Sequence, residues 1–501
     1  MNIVDMLDQQ ALRRPYAPAF VTPHEVISYR DTVDRVRRIA AALRERGIAE
    51  GDRVAVRLPN SPMQVLALLA LARLGAVALP LPPQRPADQL QPLVARFELR
   101  ATLGLRADAH AIAGTRFIAA DDSLLASVDT RNGAPVPAEA NAPGGAAPMT
   151  ISLSSGTTGR PKAIARSHDF TLRLIERQRM RPQGPGVRML VMMGFDATYA
   201  NNTCLRILLS GGTLVVVPDV SLRSLALAID QLGANHLLST TALMSRLFEQ
   251  LPADGQRFPG LLSCRLTGSR LPAAMVAQMQ RRLTRHIGSD YGAAEVGALA
   301  ESDRDGTDLT PGCVGHVMPW VQAQVVDEQD QPLATGSTGI LRFRCDDFPT
   351  AYLDDPEASA RVFRNGWFYP GDTGHLNADG TLVLSGRVDE LINVGGTKVD
   401  PDEVEQVLLQ DGNIVEAAAY GVLSAAGRPM LLAAVVCRGP VDEQETLARC
   451  HALLGQRAPQ HLVRLQALPR NEAGKVLRRV LASRTRVSSK PAAAMAMRDA
   501  D

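Results

Sequence analysis

Apolar positions recur along the chain with two periods. In "VDRVRRIAAALRERG" they fall at Val33, Val36, Ile39, Ala40 and Leu43, one face of a helix, and the pattern stops at Gly47. "DRVAVRLP" from Asp52 predicts a strand. The run "MQVLALLALARLGAVALPLPP" from Met63 is apolar on every side but is broken by Arg73, Gly75 and several prolines. It predicts a buried helix ending near Gly75 and then a short strand, too interrupted to span a bilayer.

Helix and strand signals continue to alternate through "LALAIDQLGANHLLST" and "MVAQMQRRLTRHIGSDYG", the pattern of an α/β fold built in several layers. Residues 130–149, rich in Ala, Pro and Gly, predict a loop, and "LNADGTLVLSGR" predicts a hairpin turning at Asp379-Gly380. "DPDEVEQVLLQ" starts a fresh helix, with Asp400 as N-cap, Pro401 at the first position and Glu403 completing a capping box. This restart implies a large N-terminal α/β domain over 1–388 and a small, mobile α+β domain over 389–501, about one hundred residues and ending in a frayed tail.

Bulk composition narrows the chemistry. With 46% hydrophobic residues among 501, the chain supports a sizeable core. Lys+Arg 54 against Asp+Glu 52 leave a net charge of +2, with no basic block to suggest nucleic acid. A small molecule or a protein is the expected partner. The cysteines at 204, 264, 313, 345, 437 and 450 form no C-x-x-C pair and no zinc spacing, which predicts reduced thiols and a cytoplasmic address. The start "MNIVDMLDQQALRRP" lacks the apolar core of a signal peptide, so no membrane insertion is expected.

"ISLSSGTTGRPKAIARSH", residues 151–168, concentrates glycines and hydroxyls beside a lysine. Glycine lets successive amide N–H groups turn inward around an anion, and hydroxyls add donors, so phosphate is the natural ligand. The Walker pattern fails, because Lys162 follows Pro161 rather than glycine, and Gly474-Lys475 is followed by Val476. An ordinary polar surface loop is the alternative.

Four further segments, "LPNSPMQVLALLALARLGAVALPLPPQRP", "SDYGAAEVGA", "GWFYPGDTGHLNADGTLVLSGRVDELINVGGTKVDPDEVE" and "LPRNEAGKVLRR", resemble signature blocks of the adenylate-forming superfamily. That group contains acyl-CoA synthetases, adenylation domains of peptide synthetases, and luciferases. The blocks occur in the family's order and span essentially the whole chain. The resemblance implies an acid–thiol ligase using ATP and Mg²⁺, in which a carboxylate attacks the α-phosphate and a pantetheine thiol of CoA or a carrier protein then displaces AMP.

The resemblance also assigns roles. Ser154, Ser155, Gly156, Thr157, Thr158, Gly159 and Lys162 would clasp the β- and γ-phosphates, and Glu295 would hold Mg²⁺. Tyr291 would stack on adenine, with Gly268, Asp290 and Gly292 in the same nucleotide set. Asp372 would accept the ribose hydroxyls, and Arg387 would join it. Lys475 would stabilise charge developing in the transition state; otherwise it is a solvated helix-start lysine. Asp389 would be the hinge between two domain orientations, and Gly395 and Gly396 would flank the thiol channel or simply form a turn. Ala163 and Ala294 stand where the family usually has glycine and threonine.

The segment "MMGFDATYANNTCLRILLSGGTLVVV" resembles the block that shapes the acid pocket. Asp196 would pair with the ammonium of an amino-acid substrate or, alternatively, cap a helix. Leu238, Arg265, Thr267, Asp290, Ala298 and Leu299 would line the pocket, with Arg265 facing solvent as its other option. The implied function is an acyl- or aryl-CoA synthetase. The alternatives are a free-standing amino-acid adenylation enzyme that loads a carrier protein, and a binding homologue with impaired catalysis.

Overall fold

The computed structural model describes residues 1–108, 114–121, 124, 144–154, 161–178, 181–250, 258–268, 271, 273–302, 312–388, 392–394, 397–424, 428–470 and 476–485. By packing, the chain divides into two compact units, Met1–Gln322 with Phe343–Phe368, and Ala323–Arg342 with Tyr369–Asp501. Asp389, where the sequence reading divides the chain, lies outside the described residues.

The first unit is built on two largely parallel sheets. In one, the strands Arg53–Arg57, Val77–Pro80, Ala101–Gly104, Arg116–Ala119 and Pro148–Ser154 run parallel, and Lys162–Ser167 closes the edge antiparallel to Pro148–Ser154. In the other, Pro18–Val21, Thr213–Val215, Arg188–Met192, His236–Thr240, Ser263–Thr267 and Ile287–Ala293 run parallel, and Gly297–Glu301 turns back antiparallel. Such sheets are buried on both faces, so their strands read as unbroken apolar runs. Along Arg188–Met192 the alternation is direct: Met189 and Val191 enter one core, Leu190 and Met192 another.

The predicted helices supply the layers. Ser28 caps the helix Tyr29–Glu45 by accepting the Asp31 amide, and Gly47 sits at φ 77° just past its end. The run from Met63 forms Pro62–Leu74, buried at every position from Gln64 onward, and joins both sheets to one core. Gly75, at φ 74°, ends it in the left-handed conformation that favours glycine. The start of the chain, read only for what it lacked, forms the helix Ile3–Arg13 with a capping box between Asn2 and Asp5.

Two local expectations change. The segment from Leu222 is a short helix, Leu222–Ala226, that continues as a π-turn through Gln231. The loop expected over 130–149 gives way to strand at Pro148, and residues 130–143 lie outside the described ones.

The second unit carries a three-stranded sheet, Ile414–Leu423 antiparallel to Pro429–Cys437, which pairs in parallel with His461–Arg464. One face packs on the helices Pro401–Leu408 and Glu443–Leu454, the other on Arg478–Arg484. The hairpin of Asp372–Leu376 and Thr381–Arg387 turns as expected, with Gly380 at φ 85°. Asp400 caps Pro401–Leu408 by accepting the Asp402 amide, but the predicted box does not close. Glu403 is paired with Arg457 instead, because that guanidinium lies within reach of its carboxylate. No disulfide joins the cysteines, Cys204, Cys264 and Cys450 are buried, and no described helix is long and apolar enough to cross a membrane.

Leu69 is fully buried on the central helix, so Leu69→Ala leaves a cavity and destabilises the first unit by about 2–5 kcal/mol. A urea denaturation midpoint that did not fall would contradict this packing.

Candidate active site

The glycine-rich segment is held at both ends by one hairpin. Ser154 closes its first strand and Lys162 opens its second, and the ladder pairs Ser154 with Lys162, Ser152 with Ile164 and Thr150 with Arg166. Arg96 donates from Nη1 to the Pro161 carbonyl at 2.5 Å, and Leu353 donates its amide to Ala163 at 2.8 Å. Ser155, Gly156, Thr157, Thr158 and Gly159 lie outside the described residues.

Strand alternation puts Lys162, Ile164 and Arg166 on one face. Beside that face is Glu295, in the turn between Ile287–Ala293 and Gly297–Glu301. Gly292 makes this return possible, since a Cβ there would meet the Gly297 carbonyl at 2.2 Å. Glu295 is 9% exposed, and Tyr352 donates its hydroxyl to Oε1 at 2.9 Å. Burial, with the Glu295 carboxylate adding to it, pushes the Tyr352 phenol far above its usual range, so it remains a donor. Lys162 holds Nζ 5.2 Å above the Tyr352 ring.

Glu295 Oε2 accepts no hydrogen bond among the described residues, and no three His, Cys, Asp or Glu among them gather around a metal position. One hard carboxylate oxygen suits Mg²⁺, which keeps waters and substrate phosphates as its other ligands. Tyr291 lies in the same strand, its ring 6.1 Å from Phe343, and Gly268 follows Ser263–Thr267 at φ 95°.

The expected pocket residues fall into two groups. Arg265 does not face solvent: it is 13% exposed and donates from Nη2 to Asp290 at 2.8 Å and to Glu301 at 2.8 Å. Arg181 reaches Asp290 at 2.9 Å and Glu301 at 3.2 Å, and Tyr199 donates its hydroxyl to Asp290. Burial alone would raise the Asp290 pKa, but the two arginines outweigh it and hold the carboxyl far below the usual carboxylate range. Asp290 therefore serves a buried charge network. Leu238, Ala298 and Leu299 are buried, and Thr267 donates to the Asp290 carbonyl at 3.4 Å.

The cap reading of Asp196 fails, because the following helix, Thr198–Leu209, takes Ala197 as N-cap and has no side-chain cap bond. Asp196 instead lines a small recess with Thr150, Ser152, Thr198, Asn201 and Asn202. Buried Asn201 Nδ2 has no hydrogen-bond partner there.

In the second unit, Arg387 donates to Asp372 at 3.0 Å across the hairpin. Lys475, Gly395 and Gly396 lie outside the described residues. The stem below Lys475 is described: Arg470 bridges Val476, and Arg478 donates to Glu405 at 2.8 Å. The motif reading missed Arg166, Arg181, Tyr199, Glu301 and Tyr352. Only Arg166 carried a signal, a charge alternating with apolar residues in "KAIAR".

A family model described as AMP-binding enzyme matches residues 7–351. The chain is 29% identical to indoleacetate–CoA ligase of Aromatoleum aromaticum, across 95% of this chain and 96% of that one. It is 26% identical to 4-chlorobenzoate–CoA ligase of an Arthrobacter species, across 95% and 94%. The crystal structure of ATP-bound MatB from Rhodopseudomonas palustris superposes with TM-score 0.84 over 96% of this chain and 99% of that one, at 25% identity. The chain belongs to the AMP-binding enzyme family, as the order of its motifs implied, and it has the α/β fold expected.

Asp290→Asn leaves two buried arginines short of a counter-charge and destabilises the first unit by about 3–5 kcal/mol. A carboxyl held low by folding contributes stability above its unfolded pKa of about 4 and loses it as pH falls through the folded value. The thermal stability of the wild type therefore falls in acid below about pH 4, and Asp290→Asn starts from a lower melting temperature with a flatter curve over that range.

Proposed function

We propose that the chain is an ATP-dependent, AMP-forming carboxylic acid–thiol ligase of the acyl- or aryl-CoA synthetase kind. One observation carries this reading: the buried Glu295, oriented by Tyr352, stands beside the hairpin that ends in Ser154 and Lys162. A carboxylate is a poor electrophile for a thiol, because its charge repels nucleophiles and oxide is a hopeless leaving group. In the first step the substrate carboxylate oxygen bonds to the α-phosphorus of ATP, and the bond to the bridging oxygen breaks to release pyrophosphate. In the second, a thiolate bonds to the acyl carbon and AMP departs with its oxygen.

Ser154, Lys162 and the segment between them hold the departing pyrophosphate oxygens. Glu295 would hold Mg²⁺, which would supply charge neutralisation to those oxygens. Tyr291 meets adenine, the Asp372–Arg387 pair meets ribose, and Lys475 donates to the oxygens that gain charge at the α-phosphorus. Asp389 is the hinge between the two steps, with Gly395 and Gly396 flanking the pantetheine arm of CoA. Two of the curated relatives are named as ligases of aromatic acids to CoA, which supports an acid of that class.

A second reading, an amino-acid adenylation enzyme that loads a carrier protein, is favoured by Asp196, an acidic residue that lines a recess with Thr150, Ser152 and Asn201. Acid-dependent pyrophosphate exchange, screened over aromatic, fatty and amino acids, separates the two. Exchange with aromatic or fatty acids supports the first reading. Exchange with amino acids alone, abolished by Asp196→Ala, overturns it. Lys475→Ala is expected to cut exchange on the order of 10²-fold or more while ATP still binds. Absence of exchange with every acid would favour a nucleotide-binding homologue.

A further inference from the structure

Arg166 is the largest fully buried side chain of the protein, 2% exposed, on the strand that leaves the glycine-rich segment. Its Nη2 donates to the carbonyl of Ala294 and, at 3.4 Å, to that of Glu295, and its guanidinium carbon lies 4.9 Å from the Phe170 ring centre. Those contacts leave Nε and Nη1 buried without a hydrogen-bond partner among the described residues. Buried N–H groups are nearly always satisfied, so two on one cation mark a place where something else accepts.

The charges around it point to what that is. On the same strand face, Lys162 meets only the Tyr352 ring among the described residues, and Glu295 is the anion that couples to Arg166. The strand face itself bears two cations, Lys162 and Arg166, while the carboxylates near them, Glu295 and Asp355, belong to other segments. A guanidinium this deeply buried keeps its charge, and its unpartnered N–H groups call for an anionic acceptor.

We infer that Arg166 is an anion-binding residue of the nucleotide site, whose Nε–H and Nη1–H take phosphate oxygens while Nη2 fixes the turn carrying Glu295. A guanidinium suits this task because its N–H groups are fixed in one plane: Nε–H and Nη1–H flank the Nη2 that holds the carbonyls, and each is free to take a separate anionic oxygen. This rests on the proposed function for the identity of the phosphate. It goes beyond that reading by adding to the clasp a residue that belongs to a strand.

The test is equilibrium binding of AMP, of inorganic pyrophosphate with Mg²⁺, and of adenosine to the full chain, in the wild type, Arg166→Lys and Arg166→Met. Arg166→Met is expected to weaken AMP or pyrophosphate binding tenfold or more, with Arg166→Lys between it and the wild type and adenosine affinity unchanged. The arm that weakens identifies the phosphate. Unchanged affinity for both anions in Arg166→Met overturns the inference, as does an equal loss for adenosine, the mark of a purely structural role. If Arg166→Met does not fold, Arg166→Gln, which keeps a donor for the Ala294 carbonyl, takes its place with the same readouts. Wild-type exchange activity keeps the two proposals apart. Arg166-dependent anion binding without exchange sinks the ligase reading alone, and exchange with Arg166-independent binding sinks this one alone.

Discussion

Everything in the candidate site turns on holding one buried carboxylate in a single orientation. Glu295 sits in a turn at the end of a buried strand, where a carboxyl without fixed partners would be costly to bury and free to rearrange. Three features oppose this. Tyr352 donates to one oxygen, Arg166 holds the peptide groups on either side of the turn, and Gly292 lets the chain double back without a side chain in the way. The carboxylate is thereby fixed before any ligand arrives, which is the condition for electrostatic catalysis without reorganisation at the moment of reaction. The fold supplies the means: the arginine is borne on a strand, and the glutamate on the tight turn that joins two paired strands.

The Asp290 network solves a related problem with different chemistry. Two arginines and two carboxylates compensate one another almost completely, and Tyr199 bridges them from the neighbouring helix. Replacing such a cluster by apolar residues would often be neutral for stability, so its value lies in specifying one arrangement. It ties the strands Ser263–Thr267, Ile287–Ala293 and Gly297–Glu301 to the start of Thr198–Leu209. Those elements bear Thr267, Ala298 and Leu299 of the expected pocket residues, so the network fixes these positions relative to one another.

Much of the fold was legible because its elements obey local rules. The apolar run ending at Gly75, the face of Tyr29–Glu45, the turn at Gly380 and the Asp400-Pro401 helix start all follow from periodicity, caps and left-handed glycines. What escaped was decided by tertiary choice. Glu403 satisfies the pattern of a capping box, yet a guanidinium from Arg457, far along the chain, competes more strongly for it than an amide does. Asp196 precedes a helix and reads as its cap, but the helix begins one residue later than a cap at that position requires. Within the site, the motif residues were legible as a family pattern. Tyr352, Arg181 and Glu301 were not, because a partner 57, 109 or 36 residues away leaves no local trace.

The contrast between Arg166 and the glycine-rich segment suggests a division of labour in phosphate recognition. Glycine backbones adapt to the oxygens they wrap, and they give up conformational entropy to do so. A guanidinium packed on Phe170 and anchored to two carbonyls has little freedom left to lose, so it holds its donors in one direction throughout. An enzyme that must grip ATP and then release pyrophosphate needs both kinds of contact: an adaptable clasp for the group that leaves, and a fixed cation for charge that persists through the step. Under the proposed roles, strand alternation from Lys162 to Arg166 would supply the fixed charge two side chains in from the end of the strand that Lys162 opens.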